Sequence, residues 1–160
     1  MSTASDILAG PIAEARILLP TLKFTAAVNV LLLAIGLQES NLTERVQRGN
    51  GPARGLWQFE RGGGVKGVMT HAASKDMAYQ VAIARGVPWD AAALWAALAT
   101  DDVLAACFAR LLLWTDPKPV PAVGNVDGAY GTYVWNWRPG RPHAQDWPAN
   151  YDKARAAVGV

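Results

Sequence analysis

Charged and apolar positions are spread unevenly along the chain. From Thr25 to Gln38 there are 14 residues without a charge, and Val28, Val30, Leu31, Leu32, Leu33, Ile35 and Leu37 fall on every side of a helical wheel. A helix that is apolar all round belongs in a core. The stretch contains Asn29 and is shorter than the ~20 residues that span a bilayer. It therefore reads as a central buried helix from about Leu22 to Glu39, capped by Thr21. A weak signal-anchor over residues 24–38 is the alternative. Upstream, Ser5 to Leu19 has helical composition, but Gly10-Pro11 predicts a turn inside it and Pro20 ends it.

Seven of the fifteen glycines fall between Gly49 and Gly67, around Arg54-Gly55-Leu56-Trp57-Gln58-Phe59-Glu60. That texture predicts a loop or short β-hairpin. Helical patterns then resume. Ser74 caps one to about Arg85, closed by Gly86; Pro88-Trp89-Asp90 opens a second to about Leu98; Thr100-Asp101-Asp102 starts a third to about Trp114. Asp116 to Pro148 holds six of the ten prolines and three of the seven tryptophans, and reads as a long lid-like loop. A short last helix covers about Asn150 to Val158. Trp89, Trp95 and Trp114 lie in helical patterns and read as core.

Composition narrows the functional classes. The 160 residues, 51% hydrophobic, suit one domain over 1–160 with a sizeable core. One cysteine, Cys107, excludes an internal disulfide and reads as a small buried hydrophobe. A net charge of +2 is too mild for a nucleic-acid binder. His71 and His143 stand apart from each other and from Cys107, so no metal spacing is present. The first residues lack the basic segment of a secretory signal.

Glu39 is the first acid after the uncharged run, at the end of the most buried helix expected. Burial and the negative helix end both disfavour its charged form and raise its pKa. A carboxyl group kept protonated near neutral pH is what glycosidic cleavage needs, because the departing sugar oxygen must be protonated as the C–O bond breaks. The plain alternative is a solvated helix end.

The stretch Leu33-Ala34-Ile35-Gly36-Leu37-Gln38-Glu39-Ser40-Asn41-Leu42 resembles the first motif of soluble lytic transglycosylases and goose-type lysozymes, in which an apolar helix ends in Glu-Ser. Sixteen residues after Glu39, Gly55-Leu56-Trp57-Gln58-Phe59 resembles their Gly-Leu-Met-Gln-like second motif, with Trp57 in place of methionine. Tyr133-Val134-Trp135-Asn136-Trp137-Arg138-Pro139-Gly140 is a loose counterpart of the Tyr-Asn-Ala-Gly-like third motif. Gly51 to Glu60 is similar to bacteriophage members of the superfamily. Together the motifs span residues 31–140.

The resemblance implies a mainly α, lysozyme-like single domain with a central buried helix and at most a small β-hairpin. It implies that Glu39 is the acid that cuts between N-acetylmuramic acid and N-acetylglucosamine. Intramolecular attack would make a lytic transglycosylase; water would make a muramidase. The second motif puts Gln58 in the groove, where an amide both donates to and accepts from a sugar. Ser40 reads either as a hydrogen-bond partner of Glu39 or a sugar, or as a polar helix end. Trp57 either stacks on a sugar or packs its loop. Glu60 is either a second carboxylate or a surface charge beside Arg54 or Arg61; Asp76 is a more remote candidate base. Tyr133 and Asn136 are the candidates from the third motif, against ordinary packing. Arg138, Arg141 and His143 read as a solvated basic loop or as ligands for wall carboxylates.

No cofactor is implied. The expected partner is the peptidoglycan glycan strand, with phage virion proteins or a holin for delivery, no nucleic acid and no stable membrane span. The protein is expected to be made in the bacterial cytoplasm and to act at the cell wall, or to be carried in a virion. A rival of another class is a non-catalytic virion or wall-binding protein.

Overall fold

The computed structural model describes residues 3–160. The chain is mainly helical, with one small two-stranded antiparallel sheet. Helix α1 (Ala4–Ile7) runs through a π turn, Leu8–Ile12, into α2 (Ala13–Leu18). The expected break at Gly10-Pro11 is absent. Pro11 has no N–H to donate, and the wider π turn absorbs it without ending the helix.

Helix α3 (Ala26–Ser40) is the central helix. Its cap is Thr25, not Thr21: the Thr25 hydroxyl oxygen accepts from the Val28 N–H at 3.2 Å. Val28, the run Val30 to Ile35, and Gly36 are buried. At 15 residues α3 is short, and among the described residues no helix is long and apolar enough to cross a membrane.

Strands β1 (Ala53–Arg54) and β2 (Phe59–Glu60) pair in the register Ala53 to Glu60 and Arg54 to Phe59. The turn between them needs Gly55, which has a φ of 80°; a Cβ there would also lie 2.9 Å from the Leu98 carbonyl oxygen. A second π turn, Arg61–Val65, leads to α4 (Lys66–Thr70), then α5 (Lys75–Ala84), α6 (Ala91–Leu98) and α7 (Asp102–Thr115). Asp90 and Asp101 cap α6 and α7 through backbone N–H groups. Ser74 precedes α5 without capping it, because its hydroxyl donates to the Val68 carbonyl at 2.7 Å.

The tail differs most from expectation. Inside the supposed loop lies α8 (Val126–Trp137), and α9 (Trp147–Val158) starts three residues earlier than expected. Helices α3 and α9 pack on each other, and one hydrophobic cluster joins α1, α2, α3, the hairpin, α5, α7 and α9. Two tryptophans are not core: Trp89 is 38% and Trp114 47% exposed. Cys107 is fully buried, and burial pushes its thiol up to about 12, which leaves it inert.

Gly36 marks the tightest contact at the end of α3. A Cβ there would overlap the Leu42 side chain, which is itself fully buried. Gly36→Ala should cost about 1–3 kcal/mol in urea unfolding, the usual range for overpacking.

Candidate active site

The last turn of α3 carries Glu39, and the chain reverses just beyond it. Asn41 and Leu42 both take positive φ, at 53° and 54°. Leu42 then folds back so that its N–H reaches the Gly36 carbonyl at 3.3 Å. This reversal directs the chain toward the hairpin and leaves the Glu39 side chain at the seam between α3 and α8.

Tyr133, buried on α8, donates its hydroxyl to Glu39 Oε1 at 2.5 Å across 94 positions of sequence. Burial raises the Glu39 carboxyl from 4.5 to about 7, and the Tyr133 bond partly offsets that rise by favouring the charged form. No neighbouring charge contributes to the shift. Of the two causes expected from position, burial is the one resolved.

Among the described residues Glu39 Oε2 has no hydrogen-bond partner, and the one buried, unpartnered side-chain polar atom is Asn29 Oδ1. Oε2 therefore touches solvent. Since Oε1 accepts from Tyr133, Oε2 is the oxygen placed to hold a proton and give it to an incoming group. Below about pH 7 the acid is loaded on its open side.

Aromatic rings build the wall behind this pair. Trp147 stacks on Tyr133 with centroids 5.3 Å apart and planes 3° from parallel. Its indole N–H donates to the Val126 carbonyl at 3.0 Å. Tyr130 packs on both Tyr133 and Trp147, at 6.1 and 5.6 Å. Trp137 bridges from Tyr133 to Phe59 of β2 and donates to the Trp57 carbonyl at 3.0 Å. Beside Glu39, the Gln38 amide donates to the Pro142 and His143 carbonyls at 2.7 and 3.0 Å and accepts from Asn150 at 2.8 Å. These bonds anchor the 138–146 segment and α9 to the end of α3.

The residues expected at the site divide. Glu39 and Tyr133 meet. Ser40 does not face a ligand: it is buried, and its hydroxyl is spent on the Leu56 and Gly36 carbonyls at 2.6 and 3.2 Å. Trp57 is 1% exposed and donates to the Leu32 carbonyl at 2.8 Å, so it packs the hairpin onto α3 and offers no sugar platform. Gln58 is half-buried with a φ of 51°; its NH2 is held by the Gly55 and Glu44 carbonyls at 3.1 and 3.4 Å, which leaves Oε1 as its open acceptor. Glu60 is exposed on β2 and forms no ion pair with Arg54 or Arg61. It lines a separate concavity of about 580 Å³ with Arg54, Arg61 and Trp95. Asn136 binds Asp116 and the Thr132 carbonyl, both at 2.9 Å, and so ties α8 to the preceding segment instead of facing Glu39. Asp76 lies in the first turn of α5 and is exposed. Arg138, Arg141 and His143 are exposed, outside the Glu39–Tyr133 pair.

Sequence reasoning missed Trp147, Trp137, Tyr130, Gln38 and Asn150. A signal for two of them, Tyr130 and Trp137, was present: with Val126 and Tyr133 they recur at helical spacing. Among the described residues no group of three or more His, Cys, Asp or Glu stands together to hold a metal.

No family model matches the chain, and neither a curated protein nor a solved structure is significantly similar to it. The site must be read from its own chemistry.

Proposed function

We propose that the protein cleaves the β-1,4 bond between N-acetylmuramic acid and N-acetylglucosamine in peptidoglycan, with Glu39 as general acid. The observation that carries this is the Glu39–Tyr133 pair: a half-buried carboxyl at the end of the central helix, raised to about 7, with one oxygen held and the other open. This is the environment a glycosidic acid requires. The motif resemblance supplies the substrate class, and with it the lysozyme-like fold and phage origin.

The proposed reaction starts with proton transfer from Glu39 Oε2 to the glycosidic oxygen as the bond to the muramic C1 breaks. Negative charge then develops on Glu39, and the Tyr133 hydroxyl stabilises it. For transglycosylation the muramic C6 hydroxyl attacks C1 and returns its proton to Glu39. One C–O bond breaks, one forms, and no water is consumed. An inverting hydrolase needs a second carboxylate close by to activate water, and the candidate, Glu60, lines a separate concavity, which favours this route. Mass spectrometry of the products separates the two routes. 1,6-Anhydro ends are expected; reducing ends would make the protein a muramidase.

Tyr133→Phe removes a bond to the charged form of Glu39. Its loss should slow cleavage by about 10–100-fold, the value of one hydrogen bond to a charged group. Because that bond holds the Glu39 pKa down, the alkaline limb of the pH–rate profile should also move upward from about 7. A profile that keeps its midpoint would show that Tyr133 does not act on Glu39.

A further inference from the structure

We propose that the outer face of α8 is a second binding site, for a carboxylate-bearing amino-sugar unit of a glycan strand, with Trp135 as its platform. This rests on the peptidoglycan reading for the identity of the sugar. Trp135 is 60% exposed, the most exposed tryptophan among the large hydrophobic residues left in solvent. Covering an exposed indole is favourable. It lines a concavity of about 340 Å³ with Tyr130, Gly131, Val134 and Arg138, which is at the small end of ligand-sized pockets (about 300–1,000 Å³). Gly131 has nothing within 4 Å of where its Cβ would be, so the floor is open backbone.

Two cations lie over the ring as cation–π partners. Lys118 Nζ lies 5.5 Å and the Arg138 guanidinium 5.9 Å from its centroid. Neither forms an ion pair with an acid of this chain among the described residues. Asp116, two residues before Lys118, accepts from the Lys118 backbone N–H and the Asn136 amide. A half-exposed apolar ring for a pyranose, with two cations on it that have no carboxylate partner among the described residues, matches an N-acetylmuramoyl unit with its lactyl or stem-peptide carboxylates. Tyr130 forms one wall of the concavity and also packs on Tyr133, so the site adjoins the scaffold of the acid. A strand held here would be kept near Glu39 between cuts.

The test is co-sedimentation of the uncut-substrate variant Glu39→Gln with purified peptidoglycan sacculi, with and without Trp135→Ala or the pair Lys118→Gln and Arg138→Gln. All three positions are exposed, and circular dichroism checks that each variant folds. Trp135→Ala should weaken binding about tenfold or more, as loss of an interface tryptophan does. The paired substitution should weaken it and reduce its salt sensitivity. Unchanged binding in Trp135→Ala overturns the site. So does an equal Trp135-dependent attachment to phosphatidylglycerol vesicles, which would make the face a membrane anchor. Binding is read in a protein that cannot cut, so failure of the cleavage reading is seen separately: a wild type that releases nothing while Trp135 still governs binding loses the enzyme and keeps the site.

Discussion

Glu39→Gln is expected to fold and to lose cleavage by about 100- to 10,000-fold, the range that general acid catalysis contributes. A glutamine amide keeps an oxygen for the Tyr133 hydroxyl, so the pair survives and only the transferable proton is gone. Stability should respond in the opposite sense to activity. The unfolded chain releases the Glu39 proton near 4.5, whereas the folded protein holds it to about 7. The contribution is therefore fully present below about pH 4.5 and is lost as pH rises through about 7. It amounts to about 2–3 kcal/mol after allowance for the solvent contact of Oε2. Wild type and Glu39→Gln should differ little in urea unfolding at pH 4, and the variant should be the more stable by that amount at pH 8. Parallel stability curves from pH 4 to 8 would show that Glu39 is not held protonated.

Trp147→Ala should cost about 3–5 kcal/mol, the range for truncating a buried large aromatic residue. The indole is 2% exposed, lies flat on Tyr133, packs on Tyr130 and Tyr151, and bonds the first residue of α8. Truncation opens a cavity directly behind the ring that holds Glu39. Trp147→Phe keeps an aromatic face and forfeits the bond to Val126, so it should lose only about 1–2 kcal/mol. Urea unfolding followed by far-ultraviolet circular dichroism reads both. Cleavage by Trp147→Ala should fall even at temperatures where it is still folded, because Tyr133 loses its wall. A Trp147→Ala protein within 1 kcal/mol of wild type would show that the stack does not hold the site together.

The central helix and its terminal acid were legible in the sequence because burial leaves a direct trace: fourteen uncharged residues and then Glu39. The hairpin was legible through its glycines, and Gly55 explains why, since its φ and its approach to Leu98 admit nothing larger without strain. Helix α8 was hidden by composition. Gly128, Gly131 and four aromatic residues lower its intrinsic helix propensity, and prolines flank it on both sides. Its stability comes from packing on the rest of the fold, especially through Tyr133 and Trp147, a tertiary effect that local pattern does not carry.

The second motif shows a different limit. Sequence located the segment that approaches α3, but not which atoms approach it. Trp57 and Ser40 look like ligand-facing residues in a list, yet each spends its polar group on a backbone carbonyl in the interior. Three-dimensional burial, which spacing does not encode, turned both into fasteners. Asn136 was likewise claimed by Asp116, twenty positions earlier.

The most direct measurement is release of soluble fragments from purified peptidoglycan by the wild-type protein, followed from pH 4 to pH 9. Release that is present at acid pH and falls away with a midpoint near 7 is the result expected of a single half-buried acid that must be protonated to act. A folded wild-type protein that releases nothing at any pH would contradict the account, and would make the chain a binding or structural protein instead of an enzyme.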